Sequence, residues 1–313
     1  RKAKRENIME YREKEAERSA ENGERFRERK EPSGTFTKRN KIALVTGASS
    51  GMGKEFVREI SDRLPWLDEI WAVARNREAL DALQEEVPVA KIRKFALDIT
   101  KKEDRETLKK ELETHKPAVR VFVASAGAGI QKKVEDTPLE ELENMTELNC
   151  TALTSLTALC LPYCKKNGRI ILMSSAAAFL PQPGFAVYAA TKAYVLSFAR
   201  ALRRELKGQA SVTVVCPGPV DTAFLEKMGG REQMPSYKKH FIARPEAVVR
   251  KAMRDSARGK EMSVYGMSMK SLRLLSRAFP QRVLLNKVQS REESGGDRRE
   301  KSYREQMGVF SLR

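Results

Sequence analysis

Tyr188, Lys192 and Ser175 are the residues of this chain whose types and spacing fit one reaction. Tyr188 and Lys192 are four residues apart, so on a helix they share one face. A free phenol keeps its proton up to about pH 10, and a neighbouring ammonium favours the phenolate and so lowers that pKa. A serine hydroxyl can donate a hydrogen bond to a carbonyl oxygen and orient it beside the tyrosine. The three residues therefore predict proton transfer to or from a carbonyl or alcohol oxygen.

A group of glycines precedes these residues by more than a hundred positions. Gly47, Gly51 and Gly53 follow the short apolar run from Ile42 to Val45 and begin a predicted helix. Side chains at these positions would keep a pyrophosphate away from the backbone, whereas a helix N-terminus offers free N–H groups and partial positive charge. The spacing differs from the common Gly-x-Gly-x-x-Gly, but the position between a strand and a helix favours a dinucleotide site over a plain turn.

The end of the second predicted strand indicates which dinucleotide would bind. An NAD site commonly has an acidic residue here for the ribose hydroxyls, but this chain has Ala74 followed by Arg75. Ala74 adds no repulsion, and the Arg75 guanidinium can pair with a 2′-phosphate. We therefore expect NADP(H), with NAD(H) as the alternative. The other interpretation of Arg75 is an exposed loop arginine.

Alternating strand and helix patterns supply the elements that must position these residues. The strands are apolar on both sides, as burial between two layers of helices requires. Such alternation predicts the α/β class, with a doubly wound, Rossmann-type parallel sheet. The predicted strands span residues 41–46, 69–74, 91–97, 119–124, 168–174 and 211–216, with a weaker pattern at 262–265.

Local signals predict where several of these elements begin. Asn76 is expected to cap the helix after the second strand. Thr100 and Glu103 have the spacing of a capping box for the helix after the third strand. Asn167 and Gly168 are expected to turn the chain into the fifth strand.

Charge divides the 313 residues into three segments, and the formal net charge is +18. Residues 1–40 form a charged lead, residues 41–265 the dinucleotide-binding and catalytic domain, and residues 266–313 an extension that is amphipathic and then polar. The lead has 13 Lys and Arg against 9 Asp and Glu, and the extension has 11 against 5. Acids and bases alternate closely in the lead, which is typical of a solvated segment. We therefore expect no nucleic-acid partner.

The cysteines and the lengths of the apolar runs indicate where in the cell the protein is expected. Cys150, Cys160, Cys164 and Cys216 lie in predicted helix and strand interiors, and neither of the two histidines is near them in sequence. A zinc site would need four ligands, so we predict no metal. Free buried thiols are typical of a reducing compartment. With no secretory signal and no apolar run of about 18 residues, the expected location is cytoplasmic.

Over about residues 41–265 the chain resembles the short-chain dehydrogenase/reductase family. The glycine loop and the set of Ser175, Tyr188 and Lys192 match the family's motifs. Further matches are Asp98 in Leu-Asp-Ile, Asn149 in Glu-Leu-Asn-Cys, and Pro217-Gly218-x-x-x-Thr222. One segment departs from the pattern, because the family's Asn-Asn-Ala-Gly after the fourth strand is here Ala124-Ser125-Ala126-Gly127. The missing first asparagine is expected to weaken a contact with the adenosine or the sheet and to leave the chemistry intact.

The resemblance implies a role for each matching residue. Asp98 would hold the adenine, Asn149 would support a proton-relay water through backbone strain, and Thr222 would lie near the nicotinamide carboxamide. The alternatives are a helix-start acid for Asp98 and a satisfied buried polar residue for Asn149. The implied catalytic residues are Asn149, Ser175, Tyr188 and Lys192. The implied cofactor-binding residues are Gly47, Ser49, Ser50, Gly51, Met52, Gly53, Arg75, Asp98, Ile99, Ala126, Gly127, Tyr188, Lys192, Pro217, Gly218, Val220 and Thr222.

These residues predict an NADP(H)-dependent oxidoreductase that interconverts an alcohol and a ketone or aldehyde, with Tyr188 as general acid or base. The alternatives are a catalytically silent NAD(P)-binding regulator or scaffold, a basic adaptor that acts through its tails, and a nucleotide-sugar epimerase or dehydratase. Apolar residues near the expected substrate position favour a hydroxysteroid, a fatty-acyl derivative or a bulky ketone. These residues are Phe179, Leu180, Phe185, Phe224, Met228, Met234, Tyr237 and Phe241.

Two expectations concern partners other than the substrate. The resemblance implies a homodimer or homotetramer, formed through the helices around residues 139–167 and 187–206. The amphipathic extension has three interpretations: packing over the substrate loop, contact with another subunit, or weak contact with a membrane surface through residues 270–290.

Overall fold

The structure is a computed structural model that describes residues 39–88, 90–227, 242–280 and residue 282. Nearly all of the predicted N-terminal lead lies outside the described residues. The same holds for residues 283–313 of the predicted C-terminal extension.

Within the described residues, the sheet has seven parallel strands in the order β3-β2-β1-β4-β5-β6-β7. The chain first adds strands on one side of β1 and then continues from β4 on the other side. The carboxyl ends of β1 and β4 therefore form the crevice where open α/β sheets bind ligands. The strands are β1 Lys41–Thr46, β2 Glu69–Ala74, β3 Ile92–Ala96, β4 Ala118–Ala124, β5 Cys164–Met173, β6 Ala210–Val215 and β7 Met262–Ser263.

Helices cover both faces of this sheet. They are α1 Gly51–Arg63, α2 Arg77–Glu86, α3 Lys102–His115, α4 Leu139–Thr146, α5 Leu153–Cys160, α6 Ala186–Glu205, α7 Ala223–Lys227, α8 Pro245–Ala257 and α9 Met267–Ala278. A π-helical segment, Glu147–Ala152, joins α4 to α5, and 3-10 helices span Leu161–Tyr163 and Ala176–Phe179. Among the described residues, none of the helices is long and apolar enough to cross a membrane.

The two helix layers are needed because the side chains of each strand point alternately to the two faces of the sheet. Ile42 and Leu44 of β1 point into a core cluster with α3, α5 and α6, whereas Ala43 and Val45 point into a second cluster with α1, α2 and α8. Successive side chains of a strand point to opposite faces, so a strand that is apolar at every position needs helices on both sides. The predicted doubly wound, Rossmann-type sheet is thereby confirmed.

The local predictions had mixed outcomes. The Asn76 cap is confirmed, because its side chain accepts a hydrogen bond from the Ala79 amide at 2.6 Å. The capping box at Thr100 is wrong: α3 begins one residue later, and the Thr100 amide and hydroxyl both donate to Asp98 instead. The Thr100 hydroxyl donates to the acidic side chain two residues upstream and accepts no hydrogen bond from a helix amide.

The fifth strand also begins earlier than predicted. It starts at Cys164 and contains Asn167 in the left-handed region, with φ 72°. The pairing with β4 shifts register between Val119 and Val121, which accommodates the extra residues. Asn167 therefore marks an irregularity within the strand rather than its start, because an asparagine tolerates positive φ in either setting.

Candidate active site

The glycine loop leaves β1 and enters α1 with no room for a side chain at Gly47 or Gly53. Gly47 has φ 67°, and a Cβ added there would lie 2.9 Å from the Cα of Ala126. A Cβ on Gly53 would collide with the carbonyl oxygen of Gly47. Helix α1 starts at Gly51, and the side chain of its N-cap residue, Ser50, makes no capping hydrogen bond. The result is a bare backbone turn at a positively polarised helix end.

Two other segments hold this turn in place. The Thr46 hydroxyl accepts hydrogen bonds from the Ser125 and Ala126 amides, at 3.1 and 3.2 Å. On the other side, a Cβ added at Gly51 would contact the Thr222 methyl group at 3.5 Å. The segment that departs from the family pattern is thus fixed by Thr46. Sequence reasoning missed this residue, although a polar residue at the end of an apolar strand was a usable signal.

Arg75 and Asp98 lie together at the ends of β2 and β3. The Arg75 side chain is 73% exposed, and its Nη1 atom lies 3.9 Å from Oδ2 of Asp98. Burial acts to raise the pKa of Asp98, but hydrogen bonds from Thr100 and the charge of Arg75 outweigh it, so the pKa is lowered. The carboxylate is therefore ionised and oriented, with an exposed guanidinium beside it. Ile99, which follows Asp98, is buried in the core.

Tyr188 and Lys192 lie on the inner face of α6, and both are nearly inaccessible to solvent. The Lys192 Nζ atom lies 5.5 Å from the centroid of the Tyr188 ring and donates a hydrogen bond to the Met173 carbonyl at 3.3 Å. Ser175 is two residues beyond Met173, just past the end of β5, and its hydroxyl accepts a hydrogen bond from the Ala177 amide at 3.1 Å. The carboxyl end of β5 therefore brings the three side chains together.

Burial shifts both titrating groups toward their neutral forms. It raises the pKa of Tyr188 to about 12, with a side-chain hydrogen bond to Ser175 opposing the rise. It lowers the pKa of Lys192 to about 8. The expected lowering of the phenol pKa is therefore not found in this structure, because the loss of hydration outweighs the hydrogen bond with Ser175. Near neutral pH, Tyr188 holds its proton and Lys192 is largely charged.

Asn149 is fully buried in the π-helical segment before α5. Its Oδ1 atom accepts from the Ala128 amide at 2.9 Å, and its Nδ2 atom donates to the Ala128 carbonyl at 2.8 Å and to the Thr191 hydroxyl at 3.0 Å. Thr191 in turn donates to the Tyr188 carbonyl at 2.8 Å. Asn149 thus joins the loop after β4 to the helix that carries Tyr188. Thr191 was missed, although it precedes Lys192 on the same helix.

Gly127 is the point where the loop after β4 meets this network. A Cβ added there would lie 3.1 Å from Oδ1 of Asn149 and 3.2 Å from Nζ of Lys192. The segment after β6 closes the other side, since the Ala176 amide donates to the Pro217 carbonyl at 2.7 Å. The segment continues through Gly218 and the buried Val220 to Thr222. All the predicted site segments therefore converge at one edge of the sheet.

A family model described as short chain dehydrogenase matches residues 41–233. The chain belongs to the short-chain dehydrogenase family. It is therefore an oxidoreductase that acts on CH–OH groups with a nicotinamide cofactor.

Individual relatives span a range of reactions. Benzil reductase ((S)-benzoin forming) of Saccharomyces cerevisiae is 32% identical over 194 residues, which cover 58% of this chain and 72% of that protein. The 11-beta-hydroxysteroid dehydrogenase 1A of Arabidopsis thaliana is 29% identical over 223 residues, covering 69% of this chain and 59% of its own. A solved short-chain dehydrogenase from Sphingobium yanoikuyae, in complex with NADPH, superposes with a TM-score of 0.63 at 25% identity, covering 72% and 86% of the two chains.

In this short-chain dehydrogenase, aromatic side chains flank the Tyr188 ring. Phe185 stacks on it with centroids 4.4 Å apart, and Phe224 of α7 lies at 6.0 Å. Two of the apolar residues predicted to line a substrate site thus contact the tyrosine. Phe179 instead packs against the main core, because the 3-10 helix turns its side chain toward the sheet. Met228, Met234, Tyr237 and Phe241 lie outside the described residues.

The remaining predicted cofactor residues lie on the glycine turn. Ser49, Ser50 and Met52 surround the start of α1 and are at least partly accessible. Among the residues that the structure describes, there is no cluster of three or more His, Cys, Asp or Glu side chains that could hold a metal ion.

Proposed function

We propose that this short-chain dehydrogenase uses NADP(H) to interconvert an apolar ketone or aldehyde and its alcohol. The substrate would be a hydroxysteroid, a fatty-acyl derivative or a bulky ketone. The observation that carries the proposal is the protonated, buried phenol of Tyr188, which lies beside Lys192, Ser175 and two aromatic rings at the sheet edge that also holds the glycine turn.

The residues of this edge fit a dinucleotide. The backbone packs too closely at Gly47 and Gly53 to admit a Cβ, so the turn stays tight and the first turn of α1 keeps its N–H groups free to bind a phosphate. Lys192 and Thr222 would hold the nicotinamide half, and Asp98 the adenine half. When bound, the nicotinamide supplies or accepts the hydride.

The protein residues move and stabilise the proton. In reduction, Tyr188 donates its proton to the substrate oxygen while Ser175 donates a hydrogen bond to the same atom. The Lys192 ammonium stabilises the phenolate that forms. Since burial raises the pKa of Tyr188 to about 12, the phenol carries its proton near neutral pH, as the reduction step requires. In oxidation the same residue is the base.

We assign Asn149 a positioning role. Its amide fixes Ala128 on one side and Thr191 on the other, so it sets the distance between the loop after β4 and the helix of Tyr188. A π-helical turn such as the one around Asn149 often occurs at functional sites. The relay water that the family resemblance implies at this turn remains a prediction.

A screen of NADPH consumption tests the proposal as a whole. Steroid, fatty-acyl and aromatic ketones are offered as substrates, and the corresponding alcohols are offered with NADP⁺. We expect turnover with at least one apolar ketone. Tight NADPH binding without turnover of any of these compounds would instead support a silent regulator or scaffold.

The cofactor preference depends on Arg75. We expect Arg75→Ala to raise the KM for NADPH by about tenfold or more and to leave the KM for NADH within about twofold, because a guanidinium binds a phosphate through charge-assisted hydrogen bonds. Arg77→Ala, an exposed arginine at the start of α2, is the matched control. A similar loss for both cofactors in the Arg75 variant would contradict a 2′-phosphate contact.

The substrate class depends on the ring of Phe224. We expect Phe224→Ala to raise the KM for an apolar ketone by about tenfold and to change the NADPH dissociation constant little, because the lost ring contact is on the substrate side of Tyr188. Phe198→Ala, a partly buried phenylalanine on α6 that stacks on Tyr194, is the control. Equal losses for substrate and cofactor would place Phe224 outside the substrate site.

We also propose a homodimer or homotetramer that uses the helices around residues 139–167 and 187–206. Exposed apolar side chains on these helices, Leu139 and Tyr194, support it. Measuring the mass in solution by light scattering tests it, and a monomer would overturn it. A cytoplasmic location stays a prediction supported by the four free cysteines, and imaging of a fluorescent fusion in cells tests it.

A further inference from the structure

Helix α9 has two apolar faces, and only one of them is used within the described protein. The inner face packs beside the site: a Cβ added at Gly218 would lie 2.7 Å from the Met269 sulfur, and Leu272 is partly buried. The helix therefore has a fixed position next to the segment after β6. Its second face points away from the core.

The outer face exposes large apolar side chains. Met267 and Leu274 are 74% and 69% exposed, and Leu275 and Phe279 are also exposed. Met267 and Leu274 are seven residues apart, so they line up along the helix, and Leu275 flanks them. None of the described residues covers this row. An apolar surface of this kind marks an interaction site.

Positive charge accompanies the apolar row. Residues 267–282 contain Lys270, Arg273, Arg277 and Arg282 and no acidic residue. Lys270 and Arg277 are on the flank of the row opposite Leu275, and within the described part of the chain neither forms an ion pair. A helix with an apolar face and cations beside it binds in the plane of an anionic bilayer surface.

We propose that the outer face of α9 binds the surface of a membrane that contains anionic phospholipids. The apolar side chains Met267 and Leu274 would enter the boundary of the acyl chains. Lys270 and Arg277 would contact the headgroups. This inference is independent of the proposed reaction, since it depends only on the exposed face and its charge.

The dimensions and the charge of the face disfavour a second copy of the chain as the occupant. The helix has 12 residues, so its outer face covers on the order of 200 Å². A stable protein interface needs about 800 Å² on each partner. A twofold contact would also bring like charges together, because the same surface meets itself.

Co-sedimentation with lipid vesicles tests the proposal, using the full chain. We expect vesicles of phosphatidylcholine with about 30% phosphatidylglycerol to bind at least tenfold more tightly than phosphatidylcholine alone, and added salt to weaken the binding. The double variants K270E/R277E and M267S/L274S should each lower the affinity for the anionic vesicles by at least tenfold. Val134→Ser, which removes an exposed apolar side chain (51%) between β4 and α4, should not change it.

Several results would overturn the proposal. Equal binding to both kinds of vesicle, no binding at all, or binding that neither double variant weakens would each do so. Light scattering tests the alternative that a second copy of the chain occupies this face. That alternative holds if the unsubstituted chain does not bind vesicles and the double variants lose a subunit contact. NADPH oxidation is followed separately, so failure of the proposed reaction and failure of vesicle binding are distinguishable.

Discussion

Tyr188→Phe should lower kcat for ketone reduction by at least about 1,000-fold, while the NADPH dissociation constant stays within about twofold. The variant keeps the ring, its stacking on Phe185 and its burial. It removes only the hydroxyl that donates the proton. Steady-state rates with the best ketone and fluorescence titration of NADPH measure the two quantities.

The same helix offers a matched control. Tyr194 is one and a half turns further along α6, with its hydroxyl 2.9 Å from the Thr154 hydroxyl at an exposed position. Tyr194→Phe removes a phenolic oxygen outside the site, so we expect nearly full activity. If Tyr188→Phe keeps more than about a tenth of the activity, another group must protonate the substrate oxygen and the proposed mechanism is wrong.

Lys192→Met should lower kcat/KM by at least about 100-fold and at the same time stabilise the free protein by roughly 1 to 3 kcal/mol at pH 7. The loss of activity follows from removing the ammonium beside Tyr188. The gain in stability follows from burial, which lowers the pKa of Lys192 from 10.5 to about 8 and so makes the charged form costly in the folded state. Urea unfolding without cofactor measures the free energy of unfolding.

The lowered pKa of Lys192 also predicts how the stability difference between the two proteins changes with pH. Below about pH 8 the lysine is protonated in both the folded and the unfolded chain, and its full cost is present. Between about pH 8 and 10.5 the unfolded chain binds more protons, so the contribution of Lys192 to the free energy of unfolding rises with pH. The stability advantage of the Met variant should therefore shrink over this range. Lys102→Met, at an exposed position on α3, is the matched control, and an advantage of the Lys192→Met variant that is constant with pH would contradict the lowered pKa of Lys192.

Most of the fold could be predicted because its signals are local. Runs such as Ile42 to Val45 are apolar at every position, and only a sheet between two layers of helices buries both sides of such a strand. The glycine turn was equally predictable, since the backbone packs too closely at Gly47 and Gly53 to admit a Cβ. The positions of Tyr188 and Lys192 on one helix face were also predictable, because their spacing of four residues is about one helical turn.

The ends of the elements were less predictable, because they depend on competing partners. Thr100 had the right spacing for a cap, but its amide and hydroxyl donate to Asp98 instead. Asn167 looked like the start of a strand, but pairing with β4 extends β5 back to Cys164. In both cases contacts that become available only after folding decided the outcome.

The sequence by itself determined the class of fold and the family, and it supplied the candidates for the reacting groups, because each depends on residue types at short spacings. Only the tertiary structure decided how those groups titrate and what holds them. Burial reversed the expected shift of the Tyr188 pKa. Thr46 and Thr191 became part of the site through partners far away in sequence. Desolvation and long-range hydrogen bonds depend on which surfaces meet, and no spacing along the chain records that.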